Sequence, residues 1–287
     1  MDSVKPRYIG RVMTGLITDM NDKFYYVQRN GLTYALDKEE GTFNLGDTVE
    51  GFVYPNQKGQ RCLTTKIPKV QVGRYSFATV TGVRKDLGVF VDIGLKNRDI
   101  VISCDDLPQL GQLWPKKGDK LLVSLRVDAK ERIWGQLADE EIFKSIARLG
   151  QQTQKNQNVA GTVFRLKMAG TYFLTDDYYI GFIHPNERYT EPRLGEHIEG
   201  RVIGLRPDGV LNCSLKPRGY EVINDDAAMI LAMLKQTPDG KLPYSDKSTP
   251  EEINAKFAIS KSQFKRALGH LMKEQKIYQQ DGYTYLK

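Results

Sequence analysis

Apolar and polar positions alternate with a period of two through most of this chain, and the period lengthens to that of a helix near its end. One phrase recurs. Leu194-Gly195-Glu196-His197-Ile198-Glu199-Gly200-Arg201-Val202 is matched by Leu45-Gly46-Asp47-Thr48-Val49-Glu50-Gly51-Phe52-Val53 and, more loosely, by Lys117-Gly118-Asp119-Lys120-Leu121-Leu122-Val123-Ser124-Leu125. Each copy is a glycine-acid turn feeding an alternating strand that buries one face. A second phrase precedes each copy, as Gly10-Arg11-Val12, Ala78-Thr79-Val80 and Gly161-Thr162-Val163. The order never changes, so one β module is written three times.

Each module holds five strand signals in about 57 residues, with no room for a crossover helix, which predicts antiparallel pairing in a small closed barrel. In the first module these are Gly10 to Ile17, Phe24 to Val27, Leu32 to Leu36, the Gly46 strand and Arg61 to Thr65, with a tight hairpin expected at Asn30-Gly31. The second runs Phe77 to Val83, Gly88 to Ile93, Asp99 to Ile102, Lys120 to Val127 and Arg132 to Leu137. The third runs Val159 to Leu166, Thr171 to Leu174, Tyr179 to His184, the Gly195 strand and Val210 to Lys216.

Between the second and third modules, apolar residues at 142, 143, 146 and 149 predict a helix that Gly150 stops. The polar run Gln151 to Asn158 has nothing to bury and reads as a linker. From Asp225 onward the pattern is helical: Asp226 to Lys235, a helix opened by the capping box Thr249-Pro250-Glu251-Glu252, and a third opened by Ser260-Lys261-Ser262-Gln263. Strands on either side of Asp281-Gly282 then close a hairpin. Three helices followed by a hairpin is the order of a winged helix. The expected architecture is mainly β: three barrels at 1–68, 72–150 (with its trailing helix) and 157–218, then an α+β winged helix at 224–287.

Composition sharpens this picture in two places. A net charge of +7, with 15 tyrosines and 11 phenylalanines, suits a nucleic-acid partner, because cations neutralise phosphates and rings stack on bases. Three isolated cysteines, Cys62, Cys104 and Cys213, form no CxxC pair, which argues against zinc and a disulfide framework and fits a reducing cytoplasm. No apolar run approaches the roughly 18 residues of a membrane span, and the first residues carry no leader pattern.

The third module resembles the S1-type OB-fold, the RNA-binding repeat of ribosomal protein S1. Gly161-x-Val163, Gly170-Thr171-Tyr172-Phe173, Gly181-Phe182-Ile183-His184-Pro185, Leu194-Gly195 and Cys213-Ser214-Leu215-Lys216 carry the likeness. The second module matches through Leu87-Gly88-Val89-Phe90-Val91 and departs at Ile102, where the family prefers histidine or an aromatic residue. The first matches in its opening strand, Leu45-Gly46-Asp47 and Thr64-Thr65-Lys66. Three such modules and a winged helix resemble the conserved virulence factor B (CvfB-like) family of Gram-positive bacteria. The resemblance implies a cytoplasmic RNA-binding regulator of gene expression that takes single strands with low sequence specificity.

It also implies ring positions at Tyr172 and His184 in module three and Phe90 in module two. The usual phenylalanine before the strand-two glycine is replaced by Ala169 and Leu87. Around these rings, Arg165, Lys167, Arg188, Arg201, Arg206, Lys216 and Arg218 are candidates for backbone phosphates. In the winged helix, Lys261, Lys265, Arg266, Lys273 and Lys276 form a basic helix face that could meet RNA or DNA, or a protein. No GxSxG, HExxH, Walker or GxGxxG signature is present, and no metal-ligand spacing surrounds His184, so neither an enzyme nor a cofactor is expected. An acidic-pair nuclease at Asp105-Asp106, Asp176-Asp177 or Asp225-Asp226 lacks a second carboxylate cluster. The alternative is a protein-interaction scaffold in a transcription or translation complex.

Overall fold

The computed structural model describes residues 8–96, 98–218 and 223–287. The chain divides into two compact units, Met1–Leu215 and Lys216–Lys287.

The first unit holds three closed five-stranded barrels. Barrel one is built from β1 (Val12–Met20), β2 (Phe24–Arg29), β3 (Leu32–Asp37), β4 (Thr48–Pro55) and β5 (Arg61–Thr64). Barrel two uses β6 (Ser76–Arg84), β7 (Gly88–Asp92), β8 (Ile100–Ser103), β9 (Lys120–Val127) and β10 (Ile133–Leu137). Barrel three uses β11 (Asn158–Lys167), β12 (Gly170–Thr175), β13 (Ile180–Ile183), β14 (His197–Leu205) and β15 (Leu211–Ser214). Strand order is the same in each: one, two, three, five, four, with strands three and five parallel and the other pairs antiparallel. In barrel one the expected hairpin has both Asn30 and Gly31 at positive φ (50° and 73°), the geometry that a two-residue turn needs to follow strand twist.

Alternation fills each barrel from within. Val163, Phe173, Ile183, Val202, Leu211 and Cys213 form the interior of barrel three, each 1% exposed or less. Barrels one and two share one continuous core.

Two local features recur in register. The first strand carries a β-bulge at the same place in every barrel, between Ile17 and Asp19, Val80 and Gly82, and Val163 and Arg165. The second strand of barrels two and three opens at a glycine, Gly88 (φ 134°) and Gly170 (φ 148°), where any Cβ would collide with the carbonyl oxygen of Ile102 or Ile183.

Two expectations about the segment between barrels two and three need correction. Its helix, α1 (Glu140–Ile146), ends at Ala147 rather than Gly150, and Leu149 is 76% exposed. The chain leaves the helix because Arg148 pairs with barrel three, its N–H donating to the Tyr178 carbonyl at 2.6 Å. The polar run is not a loose linker. It makes a 3-10 turn at Gln152–Gln154, and the Asn156 N–H donates to the Val202 carbonyl at 2.8 Å while Val202 donates back to Gln157 at 3.0 Å. Backbone hydrogen bonding does the docking where side chains have nothing apolar to bury.

The second unit contains α2 (Ile223–Gln236), β16 (Lys241–Leu242), α3 (Pro250–Phe257), α4 (Lys261–Lys273), β17 (Ile277–Gln280) and β18 (Tyr283–Leu286). Both capping boxes form, at Thr249 with Glu252 and at Ser260 with Gln263. The short strand β16 was not expected. It pairs with β18, making the wing a three-stranded sheet. Ile230, Leu234, Ile253, Phe264, Ala267, Leu268 and Leu271 form its core.

Candidate nucleic-acid interface

On the outside of barrel three, strands β11, β12 and β13 carry a row of rings. Tyr172 and Phe182 are directly paired across β12 and β13, with centroids 5.0 Å apart. Phe164 lies 6.4 Å from Tyr172 on the other side. Alternation after buried Val163 turns Phe164 outward, and Phe164 is the extra residue of the bulge, with Val163 paired to Phe173 and Arg165 to Tyr172. The bulge at Val163/Arg165 lets Phe164 and Arg165 both lean outward beside Tyr172. Behind Phe164, Phe143 of α1 is stacked at 3.8 Å and 14°. Tyr172, Phe182 and Phe164 are half-buried, leaving ring surface open to solvent.

Cations flank the row. Lys167 Nζ lies 5.4 Å from the Tyr172 ring centroid, and the Arg206 guanidinium lies 5.2 Å from that of Phe182. Arg165 and Lys167 both meet Glu140 at the start of α1, at 3.5 Å and 2.6 Å. The Lys167 ammonium holds the Glu140 carboxyl below the usual carboxylate range. A cleft of about 750 Å³ between barrels two and three opens beside Phe164 and Arg165, with Lys120 and Arg126 on its walls.

Of the remaining residues singled out in the sequence, several sit elsewhere. His184 is exposed and caps a 3-10 turn, its Nδ1 accepting the Asn186 N–H at 3.2 Å. Ser103 and Asp37, the last residues of strand three in barrels two and one, cap the following 3-10 turn in the same way. The expectation that Ile102 stands where the third module has His184 is therefore off by one residue: Thr171 pairs with Ile183 as Val89 pairs with Ile102, and both isoleucines are core. Arg188 is turned inward, its side chain 9% exposed and tied to Glu191 at 2.9 Å. Arg201 lies on β14 opposite Asn158, about 20 Å along β11 from Phe164. Lys216 stands two residues past β15, where the second unit begins.

Strand registers give the counterparts in the other barrels. Tyr172 corresponds to Phe90 and Tyr26, Phe182 to Val101 and Ala35, and Phe164 to Thr81 and Thr18. Phe90 is thus half-buried on the matching outer face, but with Val101 and Thr81 in place of the two phenylalanines. Barrel three alone has the full row. Phe164 and Phe182 went unflagged as site residues in the sequence. Outward alternation is the signal that marks both, Phe182 between buried Gly181 and Ile183 and Phe164 after buried Val163.

In the winged helix, Lys265, Arg266 and Lys273 are exposed along the outer arc of α4, and Lys261 is half-buried at its first turn. The outer face of the wing is aromatic. Tyr278 and Tyr285 pair across β17 and β18, stacked at 5.0 Å and 12°, with Tyr283 6.2 Å from Tyr285 and Lys241 opposite it on β16. Among the described residues, no group of three or more His, Cys, Asp or Glu side chains could hold a metal ion. No described helix is long and apolar enough to cross a membrane.

Family models match four successive stretches of the chain. Residues 9–66 match the S1 domain, 75–136 the CvfB first S1-like domain, 143–217 the second domain of virulence regulatory factor CvfB, and 228–286 the CvfB-like winged helix domain. An uncharacterized protein, YitL of Bacillus subtilis (strain 168), is 39% identical over 288 residues, spanning 100% of this chain and 95% of that protein. Conserved virulence factor B of Staphylococcus epidermidis (strain ATCC 12228 / FDA PCI 1200) is 40% identical over 240 residues, 83% of this chain and 80% of its own. A crystal structure described as a multidomain protein with nucleic acid binding domains, from Streptococcus pneumoniae TIGR4, superposes with a TM-score of 0.70 at 49% identity, covering 98% of this chain and 99% of that one. Matches this close, over domains in this order, make the chain a member of the conserved virulence factor B family.

Proposed function

We propose that the chain binds single-stranded RNA with loose sequence preference and acts as a post-transcriptional regulator in the cytoplasm, without catalysis of its own. The observation that carries this reading is the unbroken row Phe164, Tyr172 and Phe182, with Lys167 and Arg206 at its flanks. Rings accept any base, and each stacked base is worth about 1–3 kcal/mol, so such a row grips unpaired nucleotides without reading their edges. A duplex hides those faces. The tyrosine face of the wing and the basic arc of α4 offer a second surface of the same chemistry, and two linked surfaces gain affinity through effective concentration.

The names of the matches support the reading: a virulence regulatory factor, and a multidomain protein with nucleic acid binding domains. Fluorescence anisotropy with labelled oligo-U and a duplex DNA of equal length, over a salt series, tests the reading. The single strand is expected to bind more tightly, with affinity falling as salt rises. Equal weak binding to both, or no salt slope, overturns it. Loss of labelled RNA during long incubation with magnesium would overturn the non-catalytic part.

A further inference from the structure

We propose that the Glu140 carboxylate occupies a phosphate subsite on barrel three and competes there with the phosphodiesters of a bound single strand. The inference rests on the single-strand reading of the ring row and adds a regulator of its affinity. Glu140 Oε1 lies 2.6 Å from Lys167 Nζ and 3.5 Å from Arg165 Nε. The same ammonium stands over the Tyr172 ring at 5.4 Å. A base stacked on Tyr172 therefore carries its phosphates toward the two cations that Glu140 already neutralises. One carboxylate oxygen shared between an ammonium and a guanidinium is the arrangement a phosphate oxygen would adopt.

The helix bearing Glu140 does not need to move. Phe143 is 3% exposed and stacked on Phe164, and Asp139 caps the first turn through the Ile142 N–H at 2.9 Å. Only the glutamate side chain must swing away. The exchange is easy, because the Glu140, Arg165 and Lys167 side chains are 36%, 57% and 39% exposed and their attraction is screened by water. The consequence is selectivity. A polyanion without stackable bases gains little by displacing Glu140, whereas a single strand also gains its contacts with the rings.

The test is anisotropy with labelled oligo-U and the full chain, comparing wild type with Glu140→Gln and Glu141→Gln over a salt series. Glu141 is the control: it sits on the same helical turn and faces Lys144 at 2.9 Å instead. Glu140→Gln is expected to bind about two- to fivefold tighter at low salt. Its plot of log affinity against log salt should steepen by about 0.7, the share of one freed cation on a single strand. Glu141→Gln should change neither. In a second measurement, Lys167→Met should cost more affinity in the Glu140→Gln background than in wild type. If wild type binds oligo-U but Glu140→Gln binds equally or more weakly, and Lys167→Met costs the same in both backgrounds, the inference falls while the ring-row reading stands. If wild type shows no salt-dependent binding to oligo-U, both fall.

Discussion

Arg193 grips Asp119 with two parallel hydrogen bonds, Nε to Oδ2 and Nη2 to Oδ1, each at 2.8 Å, and so ties barrel three to barrel two. Asp119 belongs to the recurrent phrase and Arg193 adjoins it. Asp119 is the acid after Gly118, and Arg193 immediately precedes Leu194-Gly195-Glu196. Around them the Leu194 N–H donates to the Leu113 carbonyl at 3.0 Å, and the Lys120 N–H to that of Gly195 at 3.2 Å. The phrase thus serves twice, as the turn into strand four and as the contact between neighbouring barrels.

Arg193→Met leaves the Asp119 side chain, 8% exposed, without its cation. Removal of one partner from such a pair costs on the order of 3 kcal/mol. Asp119→Asn should cost less, because Arg193 keeps Glu196 at 3.0 Å. Chemical denaturation of the full chain should show the first transition shifting in that order. Equal shifts for the two variants would contradict the geometry.

Tyr172→Ala should weaken oligo-U binding by about 1–3 kcal/mol and leave the salt slope alone, since it removes a stacking surface and no charge. Lys167→Met should flatten the slope by up to about 0.7. Phe164→Ala should lower thermal stability as well as affinity, because its ring is stacked on buried Phe143 at 3.8 Å. Anisotropy beside differential scanning calorimetry separates these three signatures.

Barrel number and the winged helix were legible because each rests on local chemistry: the glycine-acid turns, the Asn30-Gly31 and Asp281-Gly282 hairpins, the capping boxes at Thr249 and Ser260. The parallel pairing of strands three and five departs from the antiparallel pairing expected, because it joins strands that are not consecutive in the chain. The ring row was only half legible. Tyr172 stands out by resemblance, but that Phe164 and Arg165 both stand beside it depends on the bulge in β11, which is a property of the paired strands. Arg188 shows the opposite failure. It reads as a free cation until folding brings Glu191 and the Ile183 carbonyl against it. Likewise the run Gln151 to Asn158 looks like a linker because its attachment is made by backbone groups, which every sequence possesses.

The wing gives a prediction that separates stacking from charge. Tyr278 and Tyr283 are 43% and 39% exposed, on the outer face of their hairpin. Replacing both with alanine should weaken oligo-U binding with no change in salt slope, whereas Lys265→Ala with Arg266→Ala should flatten the slope. No effect from either pair would remove the winged helix from the RNA surface.

A last prediction concerns pH. Asp226 in α2 is 9% exposed, and its Oδ2 has no hydrogen-bond partner. Burial pushes its carboxyl above the usual range, although Gln263 and Arg266 draw it back. A carboxyl raised by folding binds its proton more tightly in the folded state. Its stabilising contribution is therefore complete below the unfolded value and is lost as pH climbs through the folded one. At neutral pH the charged form is a penalty, so Asp226→Asn should raise the unfolding midpoint of the winged helix at pH 7, and the gain should shrink as pH falls toward 4. Glu252, held low by the Thr249 cap, weakens the same domain in acid, but it does so in both proteins. The difference between variant and wild type across a pH series of denaturant melts isolates Asp226. A gain that grows toward acid would show that its burial is not what sets its proton affinity.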